Sequence, residues 1–386
     1  MNRTRIVVLG AGVVGSACAR ELAAGGFEVV VVDRHRPAGA TTAHGEGNVL
    51  VSDKADGPEL RLARLSRRLW PEVLAELDAD IEWDPKGGIV VATTDAGASD
   101  LAAFAAGQRA AGVTAEPLDP ADLAAAEPHL TREVAAAYHY PEDAQVQPVA
   151  AATALLSAAI EAGTTLRTGC EVTGAITRGG RITGVRTSQG DVRADAVVNA
   201  AGPWSGEVSA ALGAPVDVRP RRGEVLVTTP LPPTVFHKVY DADYVGAVGS
   251  SDAALQTSAV VESTRGGTLL LGSSRRQVGF DDRMRPHVLS AIASRALRLF
   301  PGLAGVPVMR AYGGFRPYVP DHLPLIGEDP RIPGLWHSTG HEGAGIGLSV
   351  GTARVLHDLI SGRAPEIDAE PFRVDRPAVL TEGGAR

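Results

Sequence analysis

The chain has 386 residues, 44% apolar and 21% charged. That is enough for about two to three domains at roughly 150 residues each, and too hydrophobic for wholesale disorder. The charges sum to 37 − 45 = −8, and an acidic surface repels phosphate backbones, so no nucleic-acid partner is expected.

Ile6 to Leu9 is a short apolar, β-branched run, the pattern of a strand buried on both faces. Gly10 to Gly15 reads as a turn, Val14 to Ala24 as a helix closed by Gly25-Gly26, and Val29 to Val32 as a second buried strand ending at Asp33. A βαβ unit therefore opens the chain. Although Met1 to Arg5 has a basic character, a strand and a glycine turn follow it rather than a cleavable apolar helix.

A polar, glycine-rich loop spans Pro37 to Asn48. Pro58 to Leu77 has apolar residues at helical spacing and a basic face of Arg61, Arg64, Arg67 and Arg68. Gly87 to Ala92 reads as a strand, residues 95–130 as helical pieces, and Ala151 to Ala162 as a helix. From Thr165 to Asn199 the period changes to two, with hairpin turns at Gly179-Gly180 and Gln189-Gly190. Val225 to Thr229 and Thr268 to Leu271 are strand-like, and Pro286 to Phe300 is a helix. Trp336 to Thr339 is a last buried strand, followed by a turn over Gly340 to Gly347 and a helix from about Leu348 to Ile360. Beyond Pro365 a loose tail is expected, with 371–386 outside the folded domains.

The two cysteines, Cys18 and Cys170, fall in an apparent helix and strand. They read as small buried hydrophobes rather than a disulfide or metal site, and no metal is expected. No run approaches the roughly 20 apolar residues of a membrane span, so a soluble cytoplasmic protein is expected.

Gly10-Ala11-Gly12-Val13-Val14-Gly15 matches the glycine pattern that opens a dinucleotide-binding helix. Gly10 allows the sharp turn, Gly12 lets the backbone reach a pyrophosphate, and Gly15 allows close helix–strand packing. Val13 and Val14 begin a helix whose free N–H groups favour phosphate. Asp33 lies 33 − 15 = 18 residues beyond Gly15, where a carboxylate can accept hydrogen bonds from a ribose diol. An acid there repels a 2′-phosphate, which disfavours NADP. Flavin and nicotinamide sites share this pattern.

Four further stretches carry a family resemblance: Ala43 to Lys54 (AHGEGNVLVSDK), Val197 to Ser205 (VVNAAGPWS), Gly313 to Gly327 (GGFRPYVPDHLPLIG) and Gly340 to Gly347 (GHEGAGIG). With the N-terminal motif they resemble the D-amino-acid oxidase-like superfamily of FAD enzymes over nearly the whole chain. Within it the chain is most similar to the FAD-bearing beta subunit of D-hydroxyproline or proline dehydrogenases, with opine and glycine oxidases as neighbours. The resemblance implies an α/β fold of the glutathione-reductase type. Its Rossmann-like FAD-binding domain (1–85, 145–215 and 317–370) is interrupted by a mixed or antiparallel-sheet substrate-binding domain (86–144 and 216–316). One departure stands out: the family usually has glutamate where this chain has Asp33.

The resemblance also implies site residues. Thr41 and Thr42 would serve the phosphates, and Asp33, Arg34 and Val172 the adenosine. Glu46, Gly47, Asn48, Ala201, Gly202 and Trp204 would line the cofactor. Gly343, Ala344, Gly345, Ile346 and Gly347 would aim a helix N-terminus at the isoalloxazine. His44, in the same loop, raises the question of a covalent flavin link. Arg316 would hold a substrate carboxylate bidentately. Tyr240, Tyr244, Arg275 and His341 would complete the catalytic pocket, with Glu342 beside it.

The expected reaction is hydride removal from a carbon bearing an amine, giving an imine. The substrate would be a small D-amino acid or a proline-like acid, with glycine, sarcosine and opines as alternatives. A non-catalytic FAD-binding relay or assembly subunit and an NAD-linked dehydrogenase are the rival readings. Beta subunits of the resembled type pass electrons to iron–sulfur partners, and two cysteines cannot hold a four-cysteine cluster. Any such centre would therefore belong to another chain; flavin-bearing partner subunits or a homo-oligomer are the other expected assemblies.

Overall fold

The computed structural model describes residues 3–242 and 250–380. Its first sheet has six strands in the order Leu325–Glu328, Leu335–Thr339, Ala196–Asn199, Arg5–Leu9, Glu28–Val32 and Thr165–Arg167. All neighbours run parallel except the first pair, which is antiparallel. The continuous apolar runs of the central strands have a direct cause. Ile6, Val8, Val29 and Val31 face a helical layer that includes Leu22 and Leu155. Val7, Leu9, Val30 and Val32 face Ile182, Val185 and Val192 of a three-stranded meander. Alternate residues thus enter two cores, and both faces are buried.

The second sheet has eight strands: Val308–Tyr318, Arg219–Thr228, Leu269–Arg275, Gln256–Ser263, Lys238–Asp241, Gly88–Ala92, Ala136–Tyr140 and Glu116–Pro117. It is antiparallel apart from the pairing of Lys238–Asp241 with Gly88–Ala92. The helix Pro286–Leu299 covers one face through Val288, Ile292, Ala296 and Leu299. A mixed α/β fold with one largely parallel and one largely antiparallel sheet is therefore present, as the sequence pattern predicts.

Three features differ from the sequence reading. The helix expected from Leu348 starts earlier, at Gly345. The stretch Val308–Tyr318, not read as a strand, is an eleven-residue strand bonded along Arg219–Thr228; Gly313, Gly314 and Pro317 hide its pattern. The tail expected to be loose is docked up to Leu380. Val374 and Val379 are buried against Val216, Val218, Val319 and Leu325, and Arg376 donates to both carboxylate oxygens of Asp321.

Candidate active site

A cavity of about 400 Å³ lies where the two sheets meet. The first βα turn forms one end. Gly10 has φ +110°, and a Cβ there would stand 2.5 Å from the carbonyl oxygen of Ala200, so the fold itself requires glycine. Gly12 is different. Its φ is an ordinary −75°, and a Cβ would meet only Thr42 Oγ1 at 3.4 Å. Nothing in the protein's own packing demands glycine there, whereas a ligand pressed against the backbone does.

Gly12 caps the helix Val13–Ala24 without a side-chain hydrogen bond, so the helix's positive end is open to an anion. The Val13 N–H donates to Thr42 Oγ1 at 3.1 Å. Asp33 lines the cavity, and its carboxylate accepts from the N–H groups of Ala11 and His35, each at 2.7 Å. It therefore also braces the glycine turn. Beyond it, the Arg34 guanidinium lies 4.4 Å from the Trp204 ring centroid, and Phe280 stacks with the same indole at 5.3 Å. Val172, Ala201 and Gly202 complete this end.

Across the cavity, the short 3₁₀ turn Thr41–His44 is tied to the second sheet, because Thr41 Oγ1 donates to the Phe315 carbonyl at 2.6 Å. His44 lines the wall, with Nδ1 2.7 Å from the Ala40 carbonyl oxygen. Glu46 and Asn48 also line it. Behind them the buried Lys238 Nζ donates to Asn48 Oδ1 and, at 2.8 Å, to Glu262 Oε2.

The helix Gly345–Ile360 begins without a side-chain cap, and Gly343, Gly345 and Ile346 face the cavity. Two uncapped helix N-termini thus reach one cavity, which suits a ligand anionic at two separated points. His341 lines it as well, with Nε2 3.0 Å from Thr352 Oγ1. Burial alone pushes its imidazole down to about 3, so it is neutral at physiological pH.

Arg316 is on the wall beside Gly343. Its Nη1 donates to the Ser274 carbonyl at 2.8 Å. The guanidinium fills space over Gly223, where a Cβ would lie 2.1 Å from Nη1. That glycine was not picked out from the sequence, and its pairing opposite Gly314 becomes visible only in the sheet.

Other predicted residues lie off the wall. Gly15, Gly47, Ala344 and Gly347 sit just behind it, where Gly15 and Gly47 press on backbone carbonyls of Gly10 and Val146. Arg275 is buried, with Nη1 3.3 Å from Ser273 Oγ. Tyr240 requires a correction. It is wholly buried and donates to Ser52 Oγ, part of a core network in which Ser52 and the Val51 N–H donate to Asp143. Burial pushes the Asp143 carboxyl up to about 7. The strand Lys238–Asp241 is covered on both faces, which keeps this tyrosine from the cavity. Tyr244 lies outside the described residues.

Among the described residues, no cluster of three His, Cys, Asp or Glu side chains suits a metal ion, and no helix is long and apolar enough to cross a membrane. Cys18 and Cys170 are buried and unpaired with each other.

A parallel sheet carrying a glycine turn, with two open helix ends on one cleft, defines a dinucleotide-binding protein of the flavoenzyme type. The chain belongs to the DAO family of FAD dependent oxidoreductases, which it matches over residues 5–359. FAD is accordingly its cofactor, and the open space at Gly12 and the two uncapped helices fit it.

Among relatives, it is 31% identical over 370 residues to the bifunctional protein ThiO/ThiG of Nostoc sp., covering 92% of this chain and 52% of that protein. The chain thus spans about half the length of that relative. It is also 31% identical over 374 residues to a glycine oxidase of Pseudomonas aeruginosa, covering 95% and 98% of the two chains. The crystal structure of glycine oxidase from Geobacillus kaustophilus matches with a TM-score of 0.87 at 28% identity, covering 97% of this chain and 99% of that one.

Proposed function

We propose that this chain oxidises the C–N bond of a small amino or imino acid, giving an imine that water hydrolyses. Bound FAD supplies the two-electron acceptor for this chemistry. The chain's own residues bind and orient the substrate. Arg316 carries the reading: it is a guanidinium on the wall of the cavity that both open helix ends reach. A guanidinium there can hold an α-carboxylate through two parallel hydrogen bonds and restrict how the substrate presents its C–N carbon. This also argues against a purely electron-relaying subunit, which has no need of a carboxylate clamp.

Two substrate groups fall within the proposal. The motifs resembling hydroxyproline and proline dehydrogenases favour a cyclic imino acid or D-amino acid, while similarity to glycine oxidases over nearly the whole chain favours glycine or sarcosine. Delivery of electrons to a partner subunit with an iron–sulfur centre or second flavin belongs to the first; peroxide formation at the rate of turnover by the isolated chain would contradict it. The test is anaerobic mixing of the FAD-loaded protein with D-amino acids, hydroxyproline isomers, glycine, sarcosine and opines. Bleaching of the flavin by at least one of these is expected, and a flavin that stays oxidised with every one overturns the reading.

A further inference from the structure

Among the described residues, four that are not glycine have left-handed backbone: Ala38, Glu82, His322 (φ 57°) and Glu342 (φ 45°). Such conformations are strained and collect at functional sites. His322 and Glu342 are bonded to each other, with Nδ1 2.7 Å from Oε1.

Glu342 stands on the cavity wall. Its N–H donates to the Pro317 carbonyl at 3.1 Å, which fixes it next to Arg316. Its Oε2 accepts from Nη1 of the fully buried Arg221 at 3.2 Å, and Arg221 is the register partner of Arg316 on the adjoining strand. On the other side, His322 Nε2 lies 3.0 Å from the hydroxyl of Ser251, an exposed residue. A continuous line of hydrogen-bonding groups therefore runs from the cavity wall beside Arg316 to solvent.

An amino acid enters mainly as an ammonium carboxylate, yet hydride can leave its carbon only when nitrogen has a free electron pair. We infer that Glu342 takes the proton from the substrate nitrogen and that His322 conveys it to water. The inference rests on the amine-oxidising reading above. In this step the N–H bond of the ammonium breaks and its electron pair stays on nitrogen. The proton bonds to the Glu342 carboxylate, passes to His322 Nδ1, and a proton leaves Nε2 to water by way of Ser251. No electron changes hands in the transfer.

Electrostatics assist it. Arg316 and Arg221 are cations beside the ammonium, and like charge favours its loss of a proton. The other charged and titratable groups around the pair are Glu59, which faces both and has Lys54 3.8 Å away with Asp53 paired behind it, Arg275 beside Arg221, and Tyr318 against the His322 ring. Arg221 holds Glu342 Oε2, which leaves Oε1 to face His322 Nδ1, so the imidazole is the next acceptor along the line and its Nε2 the way out to Ser251.

The experiment is anaerobic stopped-flow flavin reduction between pH 6 and 10 with the substrate that bleaches the wild-type holoenzyme. Glu342→Gln is expected to reduce about 10- to 100-fold more slowly at pH 7 and to recover most of that loss by pH 10, where a substantial share of the substrate amine is neutral. His322→Gln is expected to show the same shape with a smaller loss, and Glu342→Asp to keep the wild-type profile. Acetate, a carboxylate without an amine, should bind all three variants as it binds wild type, read by its perturbation of the flavin spectrum.

A loss equal at every pH, weakened acetate binding, or no loss in either neutral variant overturns the inference. Should Glu342→Gln leave Arg221 uncompensated and fail to fold, His322→Gln carries the test alone. Failure of wild type to be reduced by any amine at any pH is instead a failure of the amine-oxidising reading.

Discussion

The two ends of the cavity are built from different materials. The cofactor end is made of backbone: the Gly10 to Gly15 turn and the first turns of two helices supply N–H groups and space. The proposed substrate end is made of side chains: Arg316 and Glu342 on the wall, with Arg221 and His322 bonded to Glu342 behind it, come from two strands and two loops. Backbone sites recognise what a ligand shares with many others, a pyrophosphate or an electron-rich ring. Side-chain sites recognise what is particular to one substrate. The first end should therefore respond to added bulk, and the second to altered charge.

The sharpest way to break the contrast is Gly12→Val. The position has ordinary backbone and free space, so the variant should fold, yet FAD binding should weaken at least about 100-fold because the side chain occupies the pyrophosphate's approach. Visible absorbance per mole of purified protein, beside circular dichroism, measures both; an FAD content equal to wild type would refute the assignment of that turn.

Arg316→Met should leave FAD content unchanged and lower kcat/KM by roughly 100-fold, about 3 kcal/mol for losing one partner of a charged hydrogen-bonded pair. Steady-state kinetics on the identified substrate checks it.

Tyr240→Phe marks the boundary between site and core. Its hydroxyl belongs to the Ser52–Asp143 network, so denaturant unfolding should register a loss of about 1–2 kcal/mol, with kcat/KM within about twofold of wild type. A large kinetic effect would return this tyrosine to the pocket.

The remaining prediction is a pH dependence, negligible near neutral pH. The folded protein holds His341 at about 3, while the unfolded chain takes up that proton near 6.5. Between these values the unfolded state binds more protons, so the contribution of His341 is full above about 6.5 and is lost as pH falls toward 3. Unfolding midpoints across this window should fall less steeply in His341→Gln than in wild type.

How much of this was legible in the sequence follows the same division. The first strand, turn and helix could be read because each residue's role is local: four apolar residues, glycines at fixed spacing, an acid after the second strand. Arg316 could be named only through family resemblance, since Gly313, Gly314 and Pro317 obscure the strand that carries it. Tyr240 was misplaced because all four residues of Lys238–Asp241 are buried, and such a strand has no alternation to say which face meets the cavity. The docked tail turns on two valines and one arginine, too few for a pattern. Glu342 and His322 lie 20 residues apart and share no periodicity; only their backbone conformation and mutual hydrogen bond single them out.

The most direct test of the account asks whether cofactor and acid share one cavity. Holoenzyme is titrated with acetate while the flavin's visible spectrum is followed, in wild type and in Arg316→Met. The account predicts a saturable perturbation in wild type and none in the variant at equal FAD content. A wild-type spectrum indifferent to acetate, or a variant that responds as wild type does, would contradict it.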